Sequence, residues 1–209
     1  MYRGQRVSAI VVAAGASRRM GFDKLFSKIG GRQVVWLAAN AMAQHPYVDD
    51  VVLVGSQQNM DKMRALLAAA PLEKPVQYAL GGAMRTESVA AGLALAGGDI
   101  VAIHDAARPF VGGEIIGRTV EAAAEVGGAA PAVAVKDTRK EAADDFIVAT
   151  PPRHKLMAVP TPQTFRRTEF AAALAAVPQC EYETRTHDFM GMARIGVHVQ
   201  LVTGSLANR

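Results

Sequence analysis

The sequence predicts an α/β fold: a Rossmann-like three-layer sandwich, with a mostly parallel twisted sheet between helices and a projecting β-hairpin arm. Three observations predict it. Up to Val135, short β-branched runs alternate with alanine-rich amphipathic stretches, as in consecutive βαβ units. The runs are apolar throughout, which is typical of strands that helices cover on both faces. After Val135 this alternation stops, which indicates the arm.

The predicted elements follow that alternation. The short apolar runs predict strands at Ser8–Ala14, Val51–Gly55, Val76–Ala79, Ile100–His104 and Ala129–Val135. The stretches between them predict helices at Gln33–Gln44, Met60–Ala69, Met84–Ala96 and Gly113–Val126. Ligands bind such sheets at the carboxyl ends of the strands, so the segments after the runs are the expected site.

Residues 136–155 form the predicted arm. Lys136–Lys155 is rich in charge and proline and lacks a helical period. Because long structureless loops are uncommon in compact domains, a β-hairpin is expected here. Beyond it we expect a turn at Pro160–Pro162, helices near Arg167–Ala176 and Thr186–Ile195, and a strand at Val197–Val202. With no internal repeat, residues 1–209 are expected to form one domain.

Composition narrows the class of protein. The only cysteine is Cys180, which excludes an internal disulfide and favours a reducing, cytoplasmic location. No apolar run is long enough to span a bilayer, so no membrane association is expected. Arg3 and Arg6 precede an apolar run, as in a short signal peptide. A buried first strand explains the same residues better, since the run continues into a glycine loop rather than a cleavage site.

Positive charge is concentrated at the start of the chain. Residues 1–32 carry a net charge of +6, within a total of +4. A cationic segment on a near-neutral body indicates a polyanionic ligand. Nucleic acid is not expected, because the chain has no basic stripe interleaved with aromatic residues.

The loop after the first predicted strand suits a triphosphate. Small residues at Ala13, Ala14 and Gly15 allow phosphate oxygens to approach backbone N–H groups, and Arg19 and Lys24 supply countercharge. The loop is neither a Walker loop nor a dinucleotide fingerprint. A tight turn with exposed arginines is the simpler alternative.

Two later loops suit a base and a second phosphate. Gly81 and Gly82 open a helix, where free N–H groups can read the edge of a base; an ordinary strand-to-helix turn explains that loop equally well. Asp105 follows a central strand and could hold Mg²⁺ or a ribose hydroxyl, and Arg108 could hold a substrate phosphate. A surface salt bridge is the alternative for that pair.

Five motifs together resemble a known family. They are Ala-Ala-Gly-x-x-x-Arg-Met at 13–20, Gly-Gly-x-x-Arg-x-x-Ser-Val at 81–89, His-Asp-Ala-Ala-Arg-Pro at 104–109, Lys-Asp-Thr-x-Lys at 136–140 and Thr-Pro-Gln-x-Phe at 161–165. In this order they resemble the 2-C-methyl-D-erythritol 4-phosphate cytidylyltransferases of non-mevalonate isoprenoid synthesis. The first motif is shared with many nucleotidyltransferases, whereas the third and fifth are more specific.

The resemblance implies an activity and a set of roles. It implies cytidylyl transfer from CTP to methylerythritol phosphate with release of pyrophosphate, with Mg²⁺ or another divalent cation as cofactor. The implied catalytic residues are Arg19, Lys24 and Arg153. The implied CTP-binding residues are Ala13, Ala14, Gly15, Gly82, Arg85, Ser88 and Asp105, with Asp105 also at the metal. The implied acceptor-binding residues are Arg108, Thr138, Thr161 and Thr186. It further implies a homodimer in which Thr138 and Arg153 on each arm serve the partner's site.

Two positions depart from the family pattern. Thr186 is followed by His187 and then Asp188, where the family usually has an acid directly after the threonine. The sequence ends at Asn208-Arg209, where the family has Asn-Ile-Lys and uses the lysine to bind the substrate phosphate. Either the chain is truncated, Arg209 substitutes for that lysine, or this step is impaired.

Two other functions fit parts of the pattern. A cytidylyltransferase for another sugar-alcohol phosphate, such as ribitol 5-phosphate, shares most of the motifs. A nucleotide-binding paralogue without turnover would fit the missing terminal lysine, but not the presence of Arg19, Lys24 and Arg153.

Overall fold

The structure is a computed structural model that describes residues 1–15, 24–177 and 190–208. Its strands are β1 (Val7–Val12), β2 (Lys28–Ile29), β3 (Arg32–Gln33), β4 (Asp50–Gly55), β5 (Val76–Leu80), β6 (Ile100–Asp105), β7 (Gly128–Ala134), β8 (Glu141–Ala143), β9 (Phe146–Ala149), β10 (Met157–Ala158), β11 (Gln163–Arg166) and β12 (Val199–Thr203). Its helices are α1 (Val34–Ala43), α2 (Met60–Ala69), α3 (Arg85–Leu95), α4 (Gly113–Val126), α5 (Arg167–Ala175) and α6 (Met190–Arg194).

The central sheet is mostly parallel, as the sequence predicts. Its order is β10-β7-β11-β6-β1-β4-β5, and β12 pairs with β7 in parallel. β1 lies in the middle, parallel to both β4 and β6. The carboxyl ends of β1, β4, β5 and β6 therefore meet at one edge of the sheet. Each predicted strand and helix before residue 135 is confirmed to within one or two residues at either end.

Helices cover both faces of this sheet. On β1, Ala9 and Val11 pack into a core with residues of α1, α2 and α4. Ile10, between them, packs into a second core with residues of α3, α5 and α6. Successive strand residues point to opposite faces, and all three side chains are fully buried. Burial on both faces explains why the strands read as continuous apolar runs.

A glycine brings α3 close to the sheet. A Cβ added at Gly92 would lie 2.5 Å from Cγ2 of Ile10 and 2.9 Å from Cγ2 of Val54. No side chain larger than hydrogen fits there without movement, since real Cβ contacts under 3.0 Å are essentially absent. The position of α3 on the sheet therefore depends on this residue.

The β-hairpin arm is present. β8 and β9 pair antiparallel around Asp144 and Asp145, whose φ angles of 49° and 67° suit a tight two-residue hairpin turn. At its base, Nη1 of Arg153 donates a hydrogen bond to the carbonyl of Lys136 at 2.9 Å. Phe146, with its neighbours at 147 and 148, is more than 60% exposed. A row of exposed apolar side chains is therefore displayed on the arm.

Two features differ from the sequence-based expectation. β11 runs antiparallel between β6 and β7, where the sequence predicts a turn leading directly into a helix. Its four residues include the buried polar side chains of Gln163 and Thr164, so they lack a strand's apolar pattern. The β2–β3 hairpin is also unexpected, since each strand has only two residues. The helix predicted at Thr186–Ile195 is described only from Met190 onward.

Within the described parts of the chain, no helix combines the length and the apolar character that crossing a membrane requires.

Candidate active site

An open cleft of about 1720 Å³ lies at the carboxyl edge of the sheet. The loops after β1, β4, β5 and β6 meet there because these four strands are parallel neighbours. Among the residues that the sequence predicts for the site, those lining the cleft are Ala13, Ala14, Gly15, Lys24, Gly82, Arg85, Ser88, Asp105 and Arg108. The fold thus brings together residues that lie far apart in the sequence.

Hydrogen bonds to β4 and to the segment before α2 hold the start of the loop after β1. The N–H of Ala13 donates to the carbonyl of Val54 at 2.7 Å, and its carbonyl accepts from Nδ2 of Asn59 at 2.9 Å. Ala13 therefore shapes the floor of the cleft, but its backbone groups are occupied by the protein. Ala14 and Gly15 are the next backbone units, and Gly15 is exposed. The predicted catalytic Arg19 lies outside the described residues, whereas Lys24 is exposed at the rim.

The two glycines after β5 allow a close approach. A Cβ added at Gly81 would lie 2.5 Å from both Cβ of Ala14 and Oγ of Ser88. At Gly82, an added Cβ would collide with the side chain of Glu87. A larger residue at position 81 would therefore push the second loop away from the first, and one at position 82 would displace Glu87 at the start of α3.

The start of α3 has its own hydrogen bonds. The N–H of Met84 donates to Oε2 of Glu87 at 3.1 Å, which satisfies one donor at the helix start. Ser88, predicted to contact CTP, is 2% exposed, and its hydroxyl donates to the carbonyl of Met84 at 3.1 Å. Ser88 thus supports the loop, and its hydroxyl is engaged within the protein.

Asp105 forms ion pairs with two arginines that line the cleft. Its Oδ1 accepts hydrogen bonds from Nε and Nη2 of Arg85 at 3.2 and 3.1 Å. Its Oδ2 accepts from Nε of Arg108 at 3.3 Å. Burial by itself would raise the pKa of Asp105, but Arg85 above all, then His104 and Arg108, together hold that pKa below its ordinary value. The carboxylate is therefore ionised at neutral pH and aligns two guanidinium groups.

Thr161 and His104 lie behind Asp105 rather than in the cleft. Thr161 is 3% exposed, and its Oγ1 accepts the backbone N–H of Asp105 at 3.0 Å. The same oxygen lies 3.0 Å from Nδ1 of His104. Burial lowers the pKa of His104 to about 4, so its ring is neutral at pH 7. The Thr161 hydroxyl thus holds the backbone of Asp105 from behind the cleft, and its contact with substrate stays a prediction.

A match to one family model decides which family this chain belongs to. Residues 7–208 match the model of the 2-C-methyl-D-erythritol 4-phosphate cytidylyltransferase family. The chain belongs to this family. The match spans all four loops of the cleft as well as the arm.

Relatives in this family match all or nearly all of the chain. A 2-C-methyl-D-erythritol 4-phosphate cytidylyltransferase of Dehalococcoides mccartyi is 37% identical over 211 residues, covering 100% of this chain and 91% of the relative. One from Geobacillus kaustophilus is 39% identical, covering 96% and 89%. Among solved structures, the 4-diphosphocytidyl-2C-methyl-D-erythritol synthase of Anaerococcus prevotii superposes with a TM-score of 0.82 at 26% identity, covering 99% of this chain and 90% of that one.

Asp105 is the residue that would hold a divalent cation in the cleft of this cytidylyltransferase family member. Among the described residues, no three His, Cys, Asp or Glu side chains come together as a metal cage. Mg²⁺ is commonly bound by one or two carboxylates plus the phosphates of a nucleotide. The single carboxylate of Asp105, ionised and in the cleft, fits that arrangement.

Two residues predicted to contact substrate lie on the arm. Thr138 and Arg153 belong to the exposed arm and do not line the cleft of their own chain. Thr186 lies outside the described residues, as do His187 and Arg209.

The structure adds cleft residues that the sequence reasoning missed. The loop after β4 contributes Ser56 and Asn59, the first turn of α2 contributes Lys62, and the segment after β12 contributes Asn208. Position after a parallel strand could have indicated the first group, by the same rule that selected the other loops. Asn208 follows β12, which is parallel to β7, and it begins the terminal segment, where the family has Asn-Ile-Lys. That comparison concerns the lysine and does not assign a part to the asparagine.

Proposed function

We propose that this chain transfers a cytidylyl group from CTP to 2-C-methyl-D-erythritol 4-phosphate, giving 4-diphosphocytidyl-2-C-methyl-D-erythritol and pyrophosphate. The observation that carries the proposal is the cleft, which unites Lys24, Arg85, Asp105 and Arg108 in a chain that matches this family over residues 7–208. The curated relatives named above are called methylerythritol phosphate cytidylyltransferases, which favours this acceptor over ribitol 5-phosphate.

The residue types suit phosphoryl chemistry. The acceptor's phosphate is already a nucleophile, so no base has to activate it, and catalysis reduces to positioning and charge stabilisation. In this proposal Arg19 and Lys24 stabilise the charge that develops on the α-phosphate. Ala13, Ala14, Gly15 and Gly82 form the nucleotide surface, and Ser88 supports it. Mg²⁺, held by Asp105 and the nucleotide's phosphates, would supply further charge neutralisation.

Arg108 is proposed to bind the acceptor's phosphate. Its guanidinium, with a side chain 30% exposed, uses one N–H on Asp105 and one on the carbonyl of Asn208. An arginine carries five such donors, so others remain for an anion in the cleft. Arg85 is proposed to act on the nucleotide side, where it approaches Asp105 from the first turn of α3.

The arm is proposed to complete the site of a second subunit. Thr138 and Arg153 are exposed and do not line their own cleft, and the exposed apolar residues of β9 need a surface to cover them. A two-fold dimer supplies that surface for both arms at once. We also propose a cytoplasmic location, supported by the single cysteine of the chain.

The test is pyrophosphate release by the purified protein. CTP with Mg²⁺ and 2-C-methyl-D-erythritol 4-phosphate should release pyrophosphate, whereas omitting the acceptor or adding EDTA should abolish release. CTP should be preferred over ATP and GTP at equal concentration. Preferential turnover of ribitol 5-phosphate would contradict the assigned acceptor. CTP binding without release in the presence of either acceptor would indicate a non-catalytic paralogue.

A further inference from the structure

A buried polar cluster lies directly beneath Asp105 and Arg108. It consists of His104, Thr161 and Asn208, which are 0%, 3% and 0% exposed. Burying three polar side chains is unfavourable unless they are hydrogen-bonded, and each makes hydrogen bonds to a segment far away in the sequence. The cluster therefore requires an explanation beyond general packing.

The hydrogen bonds of the cluster follow one another, and each donor and acceptor can be assigned. Because the Thr161 hydroxyl oxygen accepts the N–H of Asp105, its own hydrogen can point to Nδ1 of His104. That ring then carries its hydrogen on Nε2, which lies 2.9 Å from the carbonyl of Arg108. One threonine and one histidine thus hold the backbone at both Asp105 and Arg108.

Asn208 closes this chain from the other side. Its Nδ2 donates to the carbonyl of Thr161 at 2.6 Å, and its own backbone carbonyl accepts Nη1 of Arg108 at 3.0 Å. The side chain thus fastens the segment after β12 to the cluster, and the backbone of the same residue holds the guanidinium. Asp105 supplies the second anchor of that guanidinium at Nε.

We infer that Asn208 is a positioning residue that acts through Arg108: it fixes the guanidinium at the place where the acceptor's phosphate is proposed to bind. The inference rests on the proposed function for the role of Arg108 in turnover, but the positioning itself is a property of the structure. Small displacements of a binding group lower rates strongly when the reacting groups must be aligned.

The sharpest variant is Asn208→Asp. It keeps the shape of the side chain but replaces the donor Nδ2 by a carboxylate oxygen that repels the carbonyl of Thr161. We expect the KM for the acceptor to rise by roughly tenfold to a hundredfold, while the dissociation constant for CTP stays unchanged. Asn208→Ala should behave in the same way if it folds.

A double variant separates positioning from general destabilisation. If Asn208 acts through Arg108, then Asn208→Asp should add little further loss in a protein that already carries Arg108→Ala. Multiplicative losses would instead mean that Asn208 acts independently of Arg108, and would overturn the inference.

A matched control comes from another buried hydrogen bond. Thr119 on α4 is fully buried, donates to the carbonyl of Ile116 at 2.9 Å and accepts from Thr164 at 3.0 Å, and it does not line the cleft. Thr119→Val should lower the melting temperature but leave both the acceptor KM and CTP binding unchanged. An equal rise in the acceptor KM for this control would assign the effect to stability and overturn the inference.

A crystal structure of the Asn208→Asp protein gives a readout that needs no turnover. The guanidinium of Arg108 should leave the carbonyl of residue 208. If Arg108 keeps its place, the inference is wrong, whatever the activity. If the wild-type protein releases no pyrophosphate but Arg108 moves in the variant, the proposed function fails and the positioning role stands.

Discussion

Lys24 lies exposed at the rim of the cleft, where an ammonium group can meet charge that develops on a phosphate. We expect Lys24→Ala to lower kcat by roughly a hundredfold to a thousandfold while CTP binding changes much less, because the charge on the α-phosphate grows in the transition state. Steady-state kinetics together with CTP titration measure the two effects. Arg19→Ala is expected to behave alike.

Lys28 on β2 offers a matched control for Lys24. It is exposed and does not line the cleft, so Lys28→Ala removes the same charge from the same region. Near-normal kcat is expected for this control. Equal losses for both variants would mean that general positive charge near the cleft, and not a specific contact, supports the reaction.

His45 predicts a pH dependence of stability. Burial lowers the pKa of His45 below its ordinary value of 6.5, although the nearby Glu121 opposes that change. As the pH falls through 6.5, the unfolded chain therefore takes up a proton before the folded chain does, and the free energy of unfolding falls.

The variant His45→Gln tests this dependence. Between pH 7 and pH 5, the free energy of unfolding should fall less for the variant than for the wild type, since glutamine does not titrate. Urea unfolding at several pH values, without ligand, measures the difference. Parallel pH profiles for the two proteins would show that the folded-state pKa of His45 is not lowered.

At the scale of elements, Gly92 sets the distance between α3 and the sheet. We expect Gly92→Ala to reduce the free energy of unfolding by about 1–3 kcal/mol, because the new methyl group would overlap Ile10 and Val54. This is the net loss: the overlap costs more than the roughly 0.5–1 kcal/mol that alanine adds through its helix propensity.

Gly97 provides the control for that substitution. An added Cβ there would meet no atom within 4 Å, so Gly97→Ala should leave stability unchanged or raise it by up to about 1 kcal/mol. Chemical denaturation compares the two variants. A stable Gly92→Ala protein would mean that α3 can shift outward, and CTP binding should then weaken because the loop before α3 shifts with it.

At the scale of the whole molecule, crossed arms predict complementation between subunits. Arg153→Ala and Lys24→Ala proteins should each be nearly inactive alone. If Arg153 serves the partner's cleft, then half of the dimers in an equal mixture are mixed, and each mixed dimer holds one intact site. Mixing should therefore restore about a quarter of wild-type activity.

The readout is pyrophosphate release after verified subunit exchange. If both residues act within one chain, every site carries one lesion and mixing restores nothing. That outcome would reject the crossed arm and leave Arg153 in its own chain's cleft or outside any site.

The parallel part of the fold could be predicted because helices cover both faces of the sheet, which forces apolar residues at successive positions such as Ala9, Ile10 and Val11. β11 could not be predicted, because it is buried through hydrogen bonds as well as apolar contacts. Thr164, for example, is fully buried and bonds to Thr119. Local pattern carries no information about such a partner.

The site could be predicted where a residue follows a parallel strand, since topology alone brings Gly82, Asp105 and Arg108 together. Sequence could not show which way a side chain points. Thr161 is the example: its hydroxyl oxygen accepts the N–H of Asp105, a contact that its sequence motif does not indicate. Asn208 is visible in the sequence only as the start of the terminal segment, because its hydrogen bonds join segments far away in the sequence.

The antiparallel strand β11 has a consequence for how the chain reaches its folded state. Chains emerge from the ribosome with the N-terminus first, and β6 is complete before α4, β7, the arm and finally Gln163–Arg166 are made. Until then the side of β6 that pairs with β11 presents unpaired N–H and C=O groups, which are a template for aggregation. Nascent chains that stall before Gln163 should therefore be the species that most needs a chaperone.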